Sequence, residues 1–257
     1  MKNLISKRVH HLLFFICLCF SNLFSLAQFS DKGVIEFEVR TNIKKTMGNS
    51  DWAESMKDKL PDFKVSYFNY SFAGNKSIFQ FDRWEKKEAI PDFLRQTDEK
   101  SVWYGDFGQG KFKMKKELFG SVFNVNDSFP TIKWKVTNES RIIAGYNCRK
   151  AVGIMMDSVY VFAFYTEELL ITGGPCTVNG LPGMILGMTI PRLYTSWMAT
   201  KVDIDKSPVI AEPATGKNIF NLASTQSTII DKTKGWMGGD DAESKKWLNQ
   251  LIWNILL

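Results

Sequence analysis

From Ile35 to Val39 every second residue is apolar, while Glu36, Glu38 and Arg40 fill the positions between. That period of two predicts a half-buried antiparallel strand over 34–40. The same alternation returns along the chain. Residues 64–72 carry Phe68, Tyr70 and Phe72 on one face, and 77–81 follow after the turn residues Ala73, Gly74 and Asn75. These segments predict a hairpin. Residues 102–107 and 111–115 flank Gly108, Gln109 and Gly110 and predict a second. Ile132, Trp134 and Val136 alternate with lysines and threonine, and 184–190 and 196–202 add two more strands. In 159–164 both faces are apolar, which predicts a central strand covered on both sides.

Period 3.6 is rarer. Residues 51–60 place Ala53, Met56 and Leu60 on one face, with Asp51 and Glu54 at capping-box spacing and Pro61 as a stop. Near the C-terminus Trp247, Leu248, Leu251, Ile252, Ile255 and Leu256 form one stripe after the glycine-rich stretch 235–239. That stripe fits a helix packed on the sheet better than one docked on a membrane, because Lys245 and Lys246 are its only basic flank. The expected fold is mainly β: a single curved antiparallel sheet, half-barrel-like, with one or two packing helices in one domain over 28–257. Phe68, Tyr70 and Trp134 are candidates to line its concave face.

The first 27 residues read differently. Lys2, Lys7 and Arg8 precede a short apolar run, and Ser25, Leu26 and Ala27 offer small residues for a cut after Ala27. This is the pattern of an export signal. Its apolar stretch is too short for a span of about 20 residues. Cleavage changes the chemistry available. Both histidines of the chain, His10 and His11, leave with the signal, as do Cys17 and Cys19. The net charge of +6 falls by three. Without histidine, Ser-His-Asp and Cys-His hydrolases are excluded, and so are zinc sites with histidine ligands. A general base would be a carboxylate, lysine or tyrosine. Nothing resembles a dense basic patch for nucleic acid.

The most specific string is Asn179, Gly180, Leu181, Pro182, Gly183, preceded by Gly173, Gly174 and Pro175 and followed by Met184, Ile185 and Leu186. It holds no nucleophile, base or ligand cluster. Leu181 to Met184 fits a type II turn, with proline and glycine at its two central positions. The loop is therefore expected to be structural. Cys148 and Cys176 are the thiols left after cleavage. In an oxidising compartment they are expected to bond, the alternative being two separate buried thiols. Met155, Met156, Met184, Met188 and Met198 suit either core filling or Cu(I). Lys111, Lys113 and Lys115 read as a solvated strand face. Glu167–Glu168 and Asp240–Asp241 are neighbours in sequence, so neither pair makes a glycosidase dyad by itself.

Together these residues resemble the GLPGLI family of exported proteins. The defining string stands here as Gly180, Leu181, Pro182, Gly183, Met184, Ile185, Leu186, with Met184 at the usual leucine. Gly145, Tyr146, Asn147, Cys148, Arg149, Lys150 and Ala151 resemble the upstream signature, and Phe164, Tyr165 and Thr166 the strand end between them. The resemblance implies a periplasmic or outer-membrane-associated protein of the cell envelope. It brings no catalytic residue, cofactor or metal. An outer-membrane transporter, another envelope protein or a hydrophobic ligand is the implied partner. The expected function is non-enzymatic binding or accessory work; the alternatives are a carboxylate-dependent glycan hydrolase and, behind it, methionine-based copper handling.

Overall fold

The computed structural model describes residues 30–47, 51–86, 90–118, 120–156, 158–214, 216, 218–233 and 242–256. The expected signal, the glycine-rich 235–239 and the Asp240–Asp241 pair lie outside these residues. The described chain forms one curved, unclosed sheet of twelve strands with few helices.

Two antiparallel meanders build it. The first contains β1 (Lys32–Asn42), β2 (Phe63–Ala73), β3 (Lys76–Trp84), β4 (Val102–Asp106), β5 (Lys111–Leu118) and β6 (Ser121–Ser128). The second contains β7 (Lys133–Ile143), β8 (Tyr146–Met155), β9 (Val159–Thr166), β10 (Met184–Ile190) and β11 (Thr195–Asp203). The last strand of the second meander pairs with the first strand of the first, with Val39 opposite Trp197 and Thr41 opposite Thr195. The short β12 (Ile219–Phe220) adds to β6 in parallel. Tight hairpins join β2 to β3, β4 to β5, β5 to β6, β7 to β8 and β8 to β9, and longer connections join β1 to β2, β3 to β4 and β9 to β10, so that sequential strands are neighbours almost throughout.

Alternation sets which face is buried. Ile35, Phe37 and Val39 point into the core beside Phe68, Tyr70 and Phe72, while the charged residues between them reach solvent. Aromatic rings continue the row across strands: Phe68 stacks on Phe79 at 4.9 Å, and Phe79 meets Trp103 at 5.5 Å. Such pairs contribute about 0.5–1.5 kcal/mol each beyond buried area.

The expected double cover of 159–164 is corrected. Among the described residues that outer face is only partly covered: Tyr160 is 52% exposed and Phe162 half-buried, while Phe164 is buried. The outer aromatics are instead roofed by neighbouring cations, with Arg141 3.9 Å from the Phe164 ring and Lys150 5.9 Å from Phe162. Cation–π contact partly shields such a row from water.

Helices close the ends of the half-barrel. The short α1 (Ile43–Thr46) and α2 (Asp51–Lys57) follow β1, and Ile43, Leu60 and Ile90 form a small core there. The next, α3 (Asp92–Glu99), is fastened to three strands: Asp98 to Lys64 of β2 at 2.8 Å, Glu99 to the Trp84 indole of β3 at 2.7 Å, and the following Lys100 to Glu117 of β5 at 2.8 Å. Next, α4 (Leu222–Thr233) starts with a reciprocal cap between Asn221 and Ser224. Finally, α5 (Ala242–Leu256) buries Leu251, Ile252, Ile255 and Leu256 against Phe123 of β6 and Ile229 of α4.

Candidate functional site

Two places carry the residues of interest, and they have opposite characters. The first is the corner made by the Gly-Leu-Pro-Gly string between β9 and β10. Leu181 is buried in the main core, and Met184, Ile185 and Leu186 are sealed from solvent. The expected type II turn is replaced by a tighter one. Gly183 N–H donates to the carbonyl of Leu181 at 2.8 Å, which closes a three-residue γ-turn on Pro182. The reason is that Met184 already pairs with Thr166 in the β9–β10 ladder. Gly183 has φ +148°, and an added Cβ would overlap the Thr166 carbonyl. Gly180 has φ +90°, a conformation that L side chains rarely adopt.

The rest of the corner is tied down by hydrogen bonds. Trp134 of β7 donates its indole N–H to the carbonyl of Asn179 at 2.9 Å, and the Asn179 side chain donates to Thr177 O at 2.9 Å. Ile185 N–H donates to Gly173 O at 2.9 Å. Gly173 packs against the hydroxyl of the fully buried Tyr70, where a Cβ would not fit. Asn179, Gly180, Leu181, Pro182 and Gly183 thus present backbone geometry and one buried leucine.

The second place is a cavity of about 700 Å³ on the concave side of the first meander. Its floor is Val39, Phe68, Phe79, Trp103 and Trp197 on five strands, and its rim comes from α1, α3, α5 and the loop at Cys176. Clefts of that size suit small-molecule ligands. Of the expected lining aromatics only Phe68 is in this wall; Tyr70 lies in the core and Trp134 serves the corner.

Lys116 stands in the cavity wall in phase with Phe112 and Met114, on the inward side of β5. Its Nζ lies 5.2 Å from the centre of the Trp103 ring and donates to the carbonyl of Asn254 on α5. Burial pushes the amine down to about 8. The expectation at β5 covered Lys111, Lys113 and Lys115. Those three do lie on the outward side, Lys113 pairing with Glu212. The signal that was missed is Lys116, next in line, where a lysine replaces an apolar residue in the inward register.

The expected bond between Cys148 and Cys176 is absent; both are free thiols. Cys148 is buried on β8 near Glu168, whereas Cys176 lines the cavity opposite Lys116. Burial raises the thiols to about 11 and about 12 respectively, so neither is a ready nucleophile. Cys176 also has φ +59°, a left-handed conformation uncommon outside glycine.

The sequence-adjacent carboxylates stay apart in role. Glu167 pairs with Arg149 at 3.7 Å on the surface, and Glu168 accepts from Asn147 N–H at 3.3 Å. Asp92, Asp98 and Glu117 reach the cavity, but Asp92 pairs with Arg95, Lys64 contacts both oxygens of Asp98, and Lys100 both oxygens of Glu117. Met184 and Met188 are buried in hydrocarbon surroundings, while Met156 is exposed. Among the described residues no helix is long and apolar enough to cross a membrane.

No protein-family model and no curated protein matches the sequence. Among solved structures the chain is similar to PNGF-II in a C2 crystal, with 16% identity and a TM-score of 0.48 over 79% of this chain and 33% of that one. It is also similar to PNGF-II in a P21 crystal, with 17% identity and a TM-score of 0.45 over 75% and 31% of the two chains. The chain spans about a third of the length of these structures.

Proposed function

We propose that this is an exported protein of the cell envelope that works by binding, and that its ligand is held on the concave face of the first meander. The observation that carries this reading is the cavity floored by Phe68, Phe79, Trp103 and Trp197. A recess of about 700 Å³ with aromatic walls gains about 25 cal/mol for each Å² of apolar ligand surface it removes from water. The export pattern over 1–27 and the GLPGLI-like string support the envelope assignment. An outer-membrane transporter or another envelope protein fits the same setting as the acceptor of the ligand.

The hydrolase alternative needs two carboxylates facing a substrate, with one able to give a proton. Asp98 and Glu117 are each engaged by a lysine ammonium instead, and Asp92, at the same rim, by Arg95. The geometry therefore supports binding over hydrolysis. The test is displacement of an apolar fluorescent probe from the purified protein. Wild type is expected to take up the probe. Phe68→Ala and Trp103→Ala, made singly because each removes a buried ring at a cost of about 3–5 kcal/mol, are expected to lose most of the signal in the variants that circular dichroism shows to be folded. Equal uptake by a folded variant would reject the concave face as the site.

A further inference from the structure

A lysine in an apolar row is costly unless its charge is used, because burial disfavours the ammonium. Lys116 is faced by Cys176 from the loop before the corner, by Trp103 of β4 and by Asn254 of α5, with the Asp98–Lys64 pair beyond. Lys64 holds both oxygens of Asp98, and Lys100 holds Glu117. Among the described residues Lys116 has no carboxylate of its own. Its one acceptor is a backbone carbonyl, although an ammonium has three donors.

Two more donors in the same wall have no acceptor. Trp103 Nε1 and Gln250 Nε2 are both buried without a hydrogen-bond partner. Gln250 is one helical turn before Asn254 on α5, so its side chain shares the face that meets Lys116. Buried donors left unpaired each cost about 1–3 kcal/mol, and few persist in native proteins. A cation and two unmatched N–H groups in one cavity wall favour an anionic acceptor. Hydrocarbon and aromatic side chains from five neighbouring strands surround it.

We propose that the cavity binds an amphiphile with a carboxylate head and a hydrocarbon tail. The head lies among Lys116 Nζ, Trp103 Nε1 and Gln250 Nε2, and the tail lies along Phe68, Phe79 and Trp197. This rests on the binding function proposed above and adds the chemistry of the ligand.

The experiment is calorimetric titration of the purified protein with laurate, dodecanol and dodecylammonium, which share one tail. A charge-assisted hydrogen bond is worth about 1.5–3 kcal/mol, so laurate is expected to bind at least about tenfold tighter than dodecanol. Dodecylammonium is expected to be weakest. Laurate affinity is expected to fall as pH rises above about 8, where the free amine loses its proton, while dodecanol affinity stays level. Lys116→Met is expected to bring laurate down to the level of dodecanol. Gln250→Leu, on the partly exposed side of α5, is expected to narrow the preference several-fold and serves if the first variant fails to fold. Equal binding of laurate and dodecanol by wild type would overturn the carboxylate assignment and leave the binding function standing. Retention of the full laurate preference in Lys116→Met would overturn it too. No binding of any of the three would reject the binding function itself.

Discussion

The two meanders are built by the same alternation and end in opposite states. In the second, the corner before β10 is filled: Leu181, Met184, Ile185 and Leu186 are buried, and Gly183 leaves no space for a methyl group beside Thr166. In the first, the inward face opens into a cavity whose wall includes a buried lysine and two unmatched N–H donors. The filled corner carries the most specific string in the sequence. The hollow face carries no string at all. The lesson is that a distinctive motif can mark where a fold is hardest to build, while a cavity is made by residues that meet across strands.

That contrast sets the order of expected effects. Gly183→Val is the most damaging change. The Thr166 carbonyl occupies the space, and the backbone has a φ suited to glycine, so no folded protein is expected in circular dichroism of the purified chain. A folded Gly183→Val protein would mean that the corner is not structural.

Next comes Lys116→Met in the hollow meander, with the opposite sign. Burial lowers the Lys116 amine from 10.5 to about 8. Between those values the unfolded chain binds the extra proton, so wild-type stability climbs as pH rises through that window. At about 1.4 kcal/mol per pH unit, roughly 3 kcal/mol separates the ends of the window. Loss of the hydrogen bond to Asn254 O offsets about 1 kcal/mol. Lys116→Met is therefore expected to be about 2 kcal/mol more stable than wild type at pH 7 in urea denaturation. It is also expected to lack the rise above pH 8. A less stable variant with the rise intact would contradict the burial of a cation there.

A smaller effect is expected back at the corner. Trp134→Phe removes the indole N–H that binds Asn179 O but keeps a ring in place. A loss of about 1 kcal/mol is expected from thermal unfolding. The smallest effect concerns the thiols. A bond closing the loop from 148 to 176 would contribute about 3.5 kcal/mol. With both cysteines free, a reductant is expected to leave the melting temperature unchanged. A clear drop would show that the protein is oxidised in solution.

Much of the fold was legible because strands write their burial into every second residue. The two hairpins 64–81 and 102–115 and strand β1 follow from that reading, and the C-terminal helix follows from its 3.6-residue stripe. Helix α4 did not, since its serines and threonines are weak helix formers; Thr225, Thr228 and Thr233 bond back to carbonyls one turn earlier. The γ-turn at Pro182 was hidden because ladder pairing of Met184 decides it, and pairing is not local. The cavity was hidden for a similar reason. Val39, Phe68, Phe79, Trp103 and Lys116 are scattered in sequence and meet only once five strands are in register. Lys116 alone left a trace, as the residue that breaks the inward row after Phe112 and Met114.

The most direct test of this division of labour is one thermal-shift measurement with saturating laurate on wild type, Trp134→Phe and Lys116→Met. The ligand-induced rise is expected to be the same in Trp134→Phe as in wild type, although its starting temperature is lower, and to be smaller in Lys116→Met by the equivalent of about 1.4 kcal/mol, the tenfold loss of affinity, although its starting temperature is higher. A rise abolished by Trp134→Phe and kept by Lys116→Met would place binding at the corner and contradict the account.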